Sequence, residues 1–192
     1  MPRLVRPVIC AGFTAGTDQP TLRAGQVTLR PWEMRDLQAL TDAFADPDIQ
    51  RWHFLRIDSP AEAEAWIERA QEGWRTGTVA TWAISTGERP EAVGRIGLYF
   101  HDLINGLGEV SYWVVPGARG TGLASGALAT VSAWAFDVLG LHRLEVAHST
   151  ANAASCRVAT KAGFDAEGTR SSALQHADGW HDMHVHRRIA PS

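Results

Sequence analysis

The chain has 192 residues, a formal net charge of −3 and 45% hydrophobic residues against 20% charged. This suits one domain with one core, and no apolar run approaches the roughly 20 residues of a membrane span. The acidic balance supplies no clustered basic field for nucleic acid, and two cysteines, Cys10 and Cys156, indicate neither a disulfide framework nor a zinc set.

Residues 1–25 mix Pro, Gly, Thr and Arg without periodicity and read as an N-terminal extension outside the core, packing on it at most. Arg6 and Pro7 interrupt what would have to be the apolar centre of a signal peptide, so a reducing cytoplasm is the expected location. The domain proper is expected over residues 26–192.

Val27–Arg30 alternates like a first strand stopped by Pro31, and Met34, Leu37, Leu40 and Phe44 then fall at helical spacing until Pro47. Residues 48–58 read as a loop or short second helix. Ser59-Pro60-Ala61-Glu62 is a capping box with proline at the first helical position, and Ala63, Trp66, Ile67, Ala70 and Trp74 give that helix one apolar face. Val79–Ser85 and Val93–Phe100 read as strands joined by a turn over residues 86–90.

The stretch from Glu109 to Ala124 organises the rest. Val110–Val115 is β-branched and aromatic, Pro116-Gly117 breaks it, and Leu123, Ala127, Leu128, Val131, Trp134, Ala135 and Val138 then recur at helical intervals. Between strand and helix lies Arg119-Gly120-Thr121-Gly122-Leu123-Ala124, where two glycines let backbone N–H groups converge on the positive end of a helix. Such a turn binds phosphate. A P-loop is excluded because no Lys-Ser/Thr follows, and the dinucleotide fingerprint because a third glycine is missing.

Further strands are expected at His142–Ala147, Phe164–Thr169 and Trp180–Arg188, with a helix at Asn152–Ala162 ended by Gly163. The order is α/β with a mixed sheet.

Strand, Arg-x-x-Gly-x-Ala and long helix resemble motif A of the GNAT acetyltransferases. Asn152-Ala-Ala-Ser155, Lys161-Ala-Gly163-Phe164, Glu167-Gly168, Gly94-Arg95-Ile96-Gly97-Leu98 and Asp182 resemble the RimJ/RimL-like branch, over about residues 26–188. The resemblance implies a single GNAT-type domain with a mixed, mostly antiparallel sheet of about seven strands, its central pair splayed, and acetyl-CoA as cosubstrate without a metal. It implies a diphosphate on the amides of Arg119, Gly120, Gly122, Leu123 and Ala124, with Thr121 in the same loop. Val114 and Val115 would pair with the pantetheine arm, and an amide near Trp113 or Val114 would face the thioester oxygen.

By the same resemblance Glu109 is the candidate base, directly or through water, Asn152 would bond the pantetheine and Ser155 would protonate the departing sulfur. Against these stand plainer roles: a rim glutamate bonded to nearby backbone, a helix cap and a small packing residue. A carboxylate near pKa 4 is a poor base for an ammonium near 10 unless the site raises the first, lowers the second or interposes water. The chain departs from the branch at Leu174, where some RimL-type enzymes carry a glutamate base, and at Ser111, where many relatives have glycine.

Trp52, His53, Trp74, Trp82 and Trp113 are candidates for lining an acceptor pocket, and Trp66 and Trp134 for core packing. His181, His184 and His186 invite a metal reading, since the last two share a strand face. Without a supporting Cys or acidic ligand set they are taken as surface or strand histidines and no metal is expected. Cys156 has no evident activating partner, so direct attack in a ternary complex is expected rather than a covalent acyl-enzyme. The expected partners are acetyl-CoA and an amine acceptor, a protein N-terminal α-amine or a small amine, with a homodimer left open. The competing readings are an acyl-CoA-binding sensor without turnover and a nucleic-acid-binding module.

Overall fold

The central strands β3 (Val79–Thr86) and β4 (Gly94–Asp102) are buried along most of their length, as strands covered by helices on both faces of a single sheet must be. The computed structural model describes residues 4–87 and 90–191. The strands are β1 (Leu22–Ala24), β2 (Val27–Pro31), β3 (Val79–Thr86), β4 (Gly94–Asp102), β5 (Leu107–Val114), β6 (Arg143–Ser149), β7 (Asp165–His176) and β8 (Gly179–Ile189). The helices are α1 (Leu37–Phe44), α2 (Pro47–Arg51), α3 (Pro60–Thr76), α4 (Leu123–Asp137) and α5 (Ala153–Lys161). The sheet runs β1-β2-β3-β4-β5-β6-β8-β7, and among the described residues only β5 and β6 are parallel. Among the described residues no helix is long and apolar enough to cross a membrane.

The helix starts obey their local chemistry. Ser59 Oγ accepts from the Glu62 amide and Pro60 occupies the first turn of α3, while Asp46 Oδ1 accepts from the Ile49 amide ahead of Pro47 in α2. At the other end of α3, Gly77 takes the left-handed conformation at φ 68° that closes the helix.

One apolar cluster lies between the sheet and α4, with Leu29, Trp82, Ile96, Leu98, Leu128 and Leu144 fully buried or nearly so. The other lies beneath α1 and α3 and holds Trp32, Leu40, Phe44, Ile67 and Trp113. Across it Arg30 donates twice to Asp36, at 2.7 and 2.6 Å, the pair being 9% and 2% exposed.

Several expectations change. The sheet has eight strands rather than about seven, because Leu22–Ala24, inside the stretch read as an extension, pairs with β2. That stretch also buries Ile9, and its carbonyls at Thr17 and Pro20 accept from the indoles of Trp74 and Trp82 at 2.8 Å each. β7 runs to His176, well past Thr169. A register shift between Arg170 and Leu174 absorbs the irregularity, with Ser172 at φ 44° and its amide held by Asp182 Oδ1 at 2.8 Å. Of the turn read between β3 and β4, Glu88 and Arg89 lie outside the described residues.

Candidate active site

β5 and β6 pair at three positions only, Leu107 with Arg143, Gly108 with Leu144 and Glu109 with Glu145. Beyond Glu109 the two strands part. β5 meanwhile continues along β4, and Val115 N donates to Val93 O at 3.0 Å. Antiparallel alternation then turns the peptide groups of Val115, Trp113 and Ser111 toward β4, and those of Val110, Tyr112 and Val114 toward the opening. The unpaired strand edge is therefore carried by the Tyr112 peptide and the Val114 amide, Val114 O accepting from Arg119 Nε at 3.1 Å. Trp113 and Val115 are committed elsewhere, which corrects the assignment of Val115 to that edge.

After β5 a 3-10 turn at Pro116–Ala118 leads into the glycine loop. Gly120 and Gly122 stand at φ 78° and 85°, a region that other residues enter only with strain, and Gly122 is the N-cap of α4. Thr121 Oγ1 donates to Ala118 O at 2.8 Å, fixing the loop. Among the described residues nothing accepts from the amides of Gly120, Thr121, Gly122, Leu123 and Ala124. The Arg119 amide differs, closing the turn onto Pro116 O at 3.1 Å. Its guanidinium reaches Val114 O, Asp46 and Asp48 rather than the loop. Lys161 Nζ lies 3.7 Å from where a Cβ on Gly122 would sit, bringing a cation to the loop from the end of α5.

The two faces of β5 carry different chemistry, because successive side chains alternate. On the α4/α5 face, Tyr112 Oη lies 2.9 Å from Ser155 Oγ and donates toward Ser155 O at 3.1 Å. Burial pushes the Tyr112 phenol up to about 12. Asn152 Oδ1 accepts from the Ser155 amide at 3.0 Å, so Asn152 caps α5.

Glu109, Ser111 and Trp113 lie on the other face. Burial raises the Glu109 carboxyl above its ordinary range, against the pull of His101 at 3.5 Å; Glu145 adds to the rise and Arg170 opposes it. Beside it Arg95, 7% exposed, donates to Ser111 Oγ at 2.7 Å and Tyr99 Oη at 2.8 Å, and packs on Trp66. No carboxylate pairs with it among the described residues. Gly97 makes room, since a Cβ there would stand 2.3 Å from the guanidinium.

The aromatic residues sort differently from the expectation. Trp82 and Trp74 pack against Trp134 in the core, and Trp113 is buried beneath Trp32 and Phe44, so none of the three lines a surface pocket. Trp52 and His53 remain half-buried. His53 lines a cavity of about 510 Å³ with Gln50, Phe54, Arg56 and His176.

Spacing alone did not reveal three groups. Tyr112 is one, and Lys161, noted only as part of a motif, is another. The third is a chain in which Asp178 accepts from His181 Nε2 at 2.8 Å and His181 Nδ1 accepts from Ser149 Oγ at 2.7 Å. Their partners come from other elements, so no short motif marks them. The histidine reading also changes: His186 is 1% exposed, and His148 and Cys156 gather beside His184 and His186.

A mixed sheet whose central parallel pair forks beside a glycine-rich helix N-terminus suits an extended ligand with an anionic group. The chain belongs to the GNAT family: the acetyltransferase (GNAT) domain matches residues 26–165. It is an acetyl-CoA-dependent acetyltransferase. It is 25% identical over 173 residues to the uncharacterized N-acetyltransferase YoaA of Bacillus subtilis, covering 90% of this chain and 98% of that one. RimJ of Mycobacterium smegmatis, solved with a CoA-disulfide, superposes at TM-score 0.79 with 26% identity, over 89% of this chain and 86% of that one. RimL, a ribosomal-protein α-N-acetyltransferase solved with coenzyme A, shares the fold at TM-score 0.80 with 19% identity, over 89% and 98% of the two chains.

Proposed function

We propose that the chain transfers the acetyl group of acetyl-CoA to a primary amine by direct attack in a ternary complex. The observation that carries this reading is the fork beyond Glu109, with the free Tyr112 peptide and Val114 amide on one side of it and free loop amides at its mouth. Pantetheine completes the open edge as a false strand, as an added peptide completes a sheet. The amides from Gly120 to Ala124 and the Lys161 ammonium take the diphosphate. An amide at the open edge polarises the thioester carbonyl where charge develops.

Glu109 sits at the apex of the fork on the face opposite Ser155, so the amine enters from one side and the thiol leaves on the other. Its raised pKa improves it as a base toward the ammonium, directly or through water. Ser155, hydrogen-bonded to Tyr112, protonates the departing thiolate. Tyr112 stays a phenol at working pH and serves as donor to Ser155 rather than as a base.

The acceptor reading starts from RimJ and RimL, the second of which is named for acetylating a protein N-terminus, and a protein α-amine is the first choice. Arg95 favours a second, a small amine carrying an oxyanion, because a buried guanidinium held only by neutral hydroxyls is costly until an anion joins it. The cavity bounded by His53, Phe54 and His176 offers an approach.

Thiol release measured over a panel of N-terminal peptides and small amines, with wild type and Glu109→Gln, tests the proposal. Turnover with at least one amine, and a fall of about 10²–10⁴ in kcat for the variant, is the expected result. A chain that binds acetyl-CoA but releases no thiol with any amine is a sensor. Unchanged turnover in Glu109→Gln removes Glu109 as base.

A further inference from the structure

Behind α5, on the face of the sheet away from Glu109, four side chains from three elements converge. His148 comes from β6, His184 and His186 from β8, and Cys156 from α5, and one ligating atom from each lies within 4.8 Å of all the others. The register that pairs His148 with His184 and Val146 with His186 sets the three imidazoles on one face, with ring centroids 4.5 to 5.5 Å apart. Cys156 Sγ stands 4.0 Å from His184 Nδ1.

The hydrogen bonding of this cluster is what needs explaining. His148 is 5% exposed and His186 1%. His148 Nδ1 donates to Ser149 O at 2.8 Å, which fixes the tautomer and leaves Nε2 with its lone pair free and no partner. Neither nitrogen of His186 makes a hydrogen bond of normal geometry. Buried polar atoms left bare cost about 1–3 kcal/mol each, and one cation taking a nitrogen from each ring would satisfy two of the three.

We propose that His148, Cys156, His184 and His186 form a tetrahedral zinc site of three nitrogens and one sulfur that ties α5 to β6 and β8. Tetrahedral zinc with bonds of about 2.0–2.1 Å to nitrogen and 2.3 Å to sulfur sets its ligand atoms about 3.3–3.6 Å apart, so the widest separation closes by little more than about an ångström. The carbonyl of Ser149 on His148 Nδ1 is the outer-shell partner that metal-bound imidazoles characteristically have. Four protein ligands leave no open position, which makes the site structural rather than catalytic. Cys156 and His184 are only half-buried and give an ion its way in. The site borders the proposed thiol side of the fork, since Cys156 follows Ser155 in α5, and it fixes the helix that carries Asn152 and Ser155.

The expectation of no metal rested on the want of a supporting ligand set near His184 and His186. Cys156 and His148 supply one only after folding, at spacings no zinc motif shares.

The test uses the untagged full-length chain, stripped with chelator and reloaded with zinc or cobalt chloride. One zinc per chain should survive dialysis, and zinc should raise the melting temperature. The cobalt form should show the intense visible bands of tetrahedral coordination together with a sulfur-to-cobalt charge-transfer band. Cys156→Ser should remove the charge-transfer band, and with His184→Gln should lower zinc affinity at least about a hundredfold, the upper end of what losing an outer-shell partner costs. A wild-type chain that retains only trace zinc, or a cobalt spectrum without the charge-transfer band, overturns the site. So does full zinc retention in the double variant, which would move the ion to other histidines. Should the double variant fail to fold, the wild-type cobalt spectrum decides alone.

Discussion

Glu109 sits where burial and function pull in opposite directions. A carboxyl whose folded pKa lies above its unfolded value binds protons more tightly when folded, so its ionisation costs stability once the pH rises past the unfolded value. In the proposed mechanism the ionised form takes a proton from the amine, so activity should fall as pH drops through the raised pKa. The acid limb of kcat/KM should therefore lie above the ordinary carboxylate range and vanish in Glu109→Gln. At neutral pH that variant should melt no lower than wild type. A melting temperature well below wild type would mean that the carboxylate holds structure rather than performing chemistry. Ser155→Ala should lower kcat by roughly 10²-fold or more with little change in KM for acetyl-CoA, because it acts on the leaving thiolate. Glu109 and Ser155 became candidates through the resemblance of their motifs. The phenol of Tyr112 was not, because its contact with Ser155 joins a strand to a helix more than forty positions away.

Among the elements, the glycine loop was legible because it uses local chemistry, a strand broken by Pro116-Gly117 and then glycines that alone sit easily at positive φ, whereas the fork was expected only through the resemblance. Gly122→Ala should strain the loop by on the order of 1–2 kcal/mol and weaken acetyl-CoA binding about tenfold or more, read by titration calorimetry. Unaltered affinity would argue that the loop amides are not the diphosphate site. The N-terminal stretch was opaque for the opposite reason. It has no periodicity, and what fixes it is indole N–H groups on Trp74 and Trp82 reaching its carbonyls, a contact no pattern announces. Trp82→Phe should cost about 1 kcal/mol and speed hydrogen exchange selectively in the strands beside residues 17–20. Removing Asp36 leaves Arg30 charged and buried, and Asp36→Ala should lower unfolding free energy by about 3–5 kcal/mol in urea titration.

At the scale of the molecule, the sheet sets the two groups of candidate residues on opposite faces of β5. In the proposed mechanism Glu109 and Arg95 receive the amine on one, Tyr112 and Ser155 receive the thiol on the other, and acetyl-CoA lies in the gap between. Mixed α/β architecture was readable from element order, but the division between faces was not, since it depends on where β6 leaves β5. Acetyl-CoA at a hundred times its Kd should stabilise the fold by about 2.7 kcal/mol, which for a chain of this size corresponds to roughly 5–11 °C. The most direct measurement is a crystal structure with acetyl-CoA bound. The diphosphate should lie on the amides of Gly120 to Ala124, with the thioester in the gap between β5 and β6 within reach of Glu109 on one side and Ser155 on the other. Coenzyme bound elsewhere while the fork stays empty, or a thioester on the face away from both residues, would contradict the account.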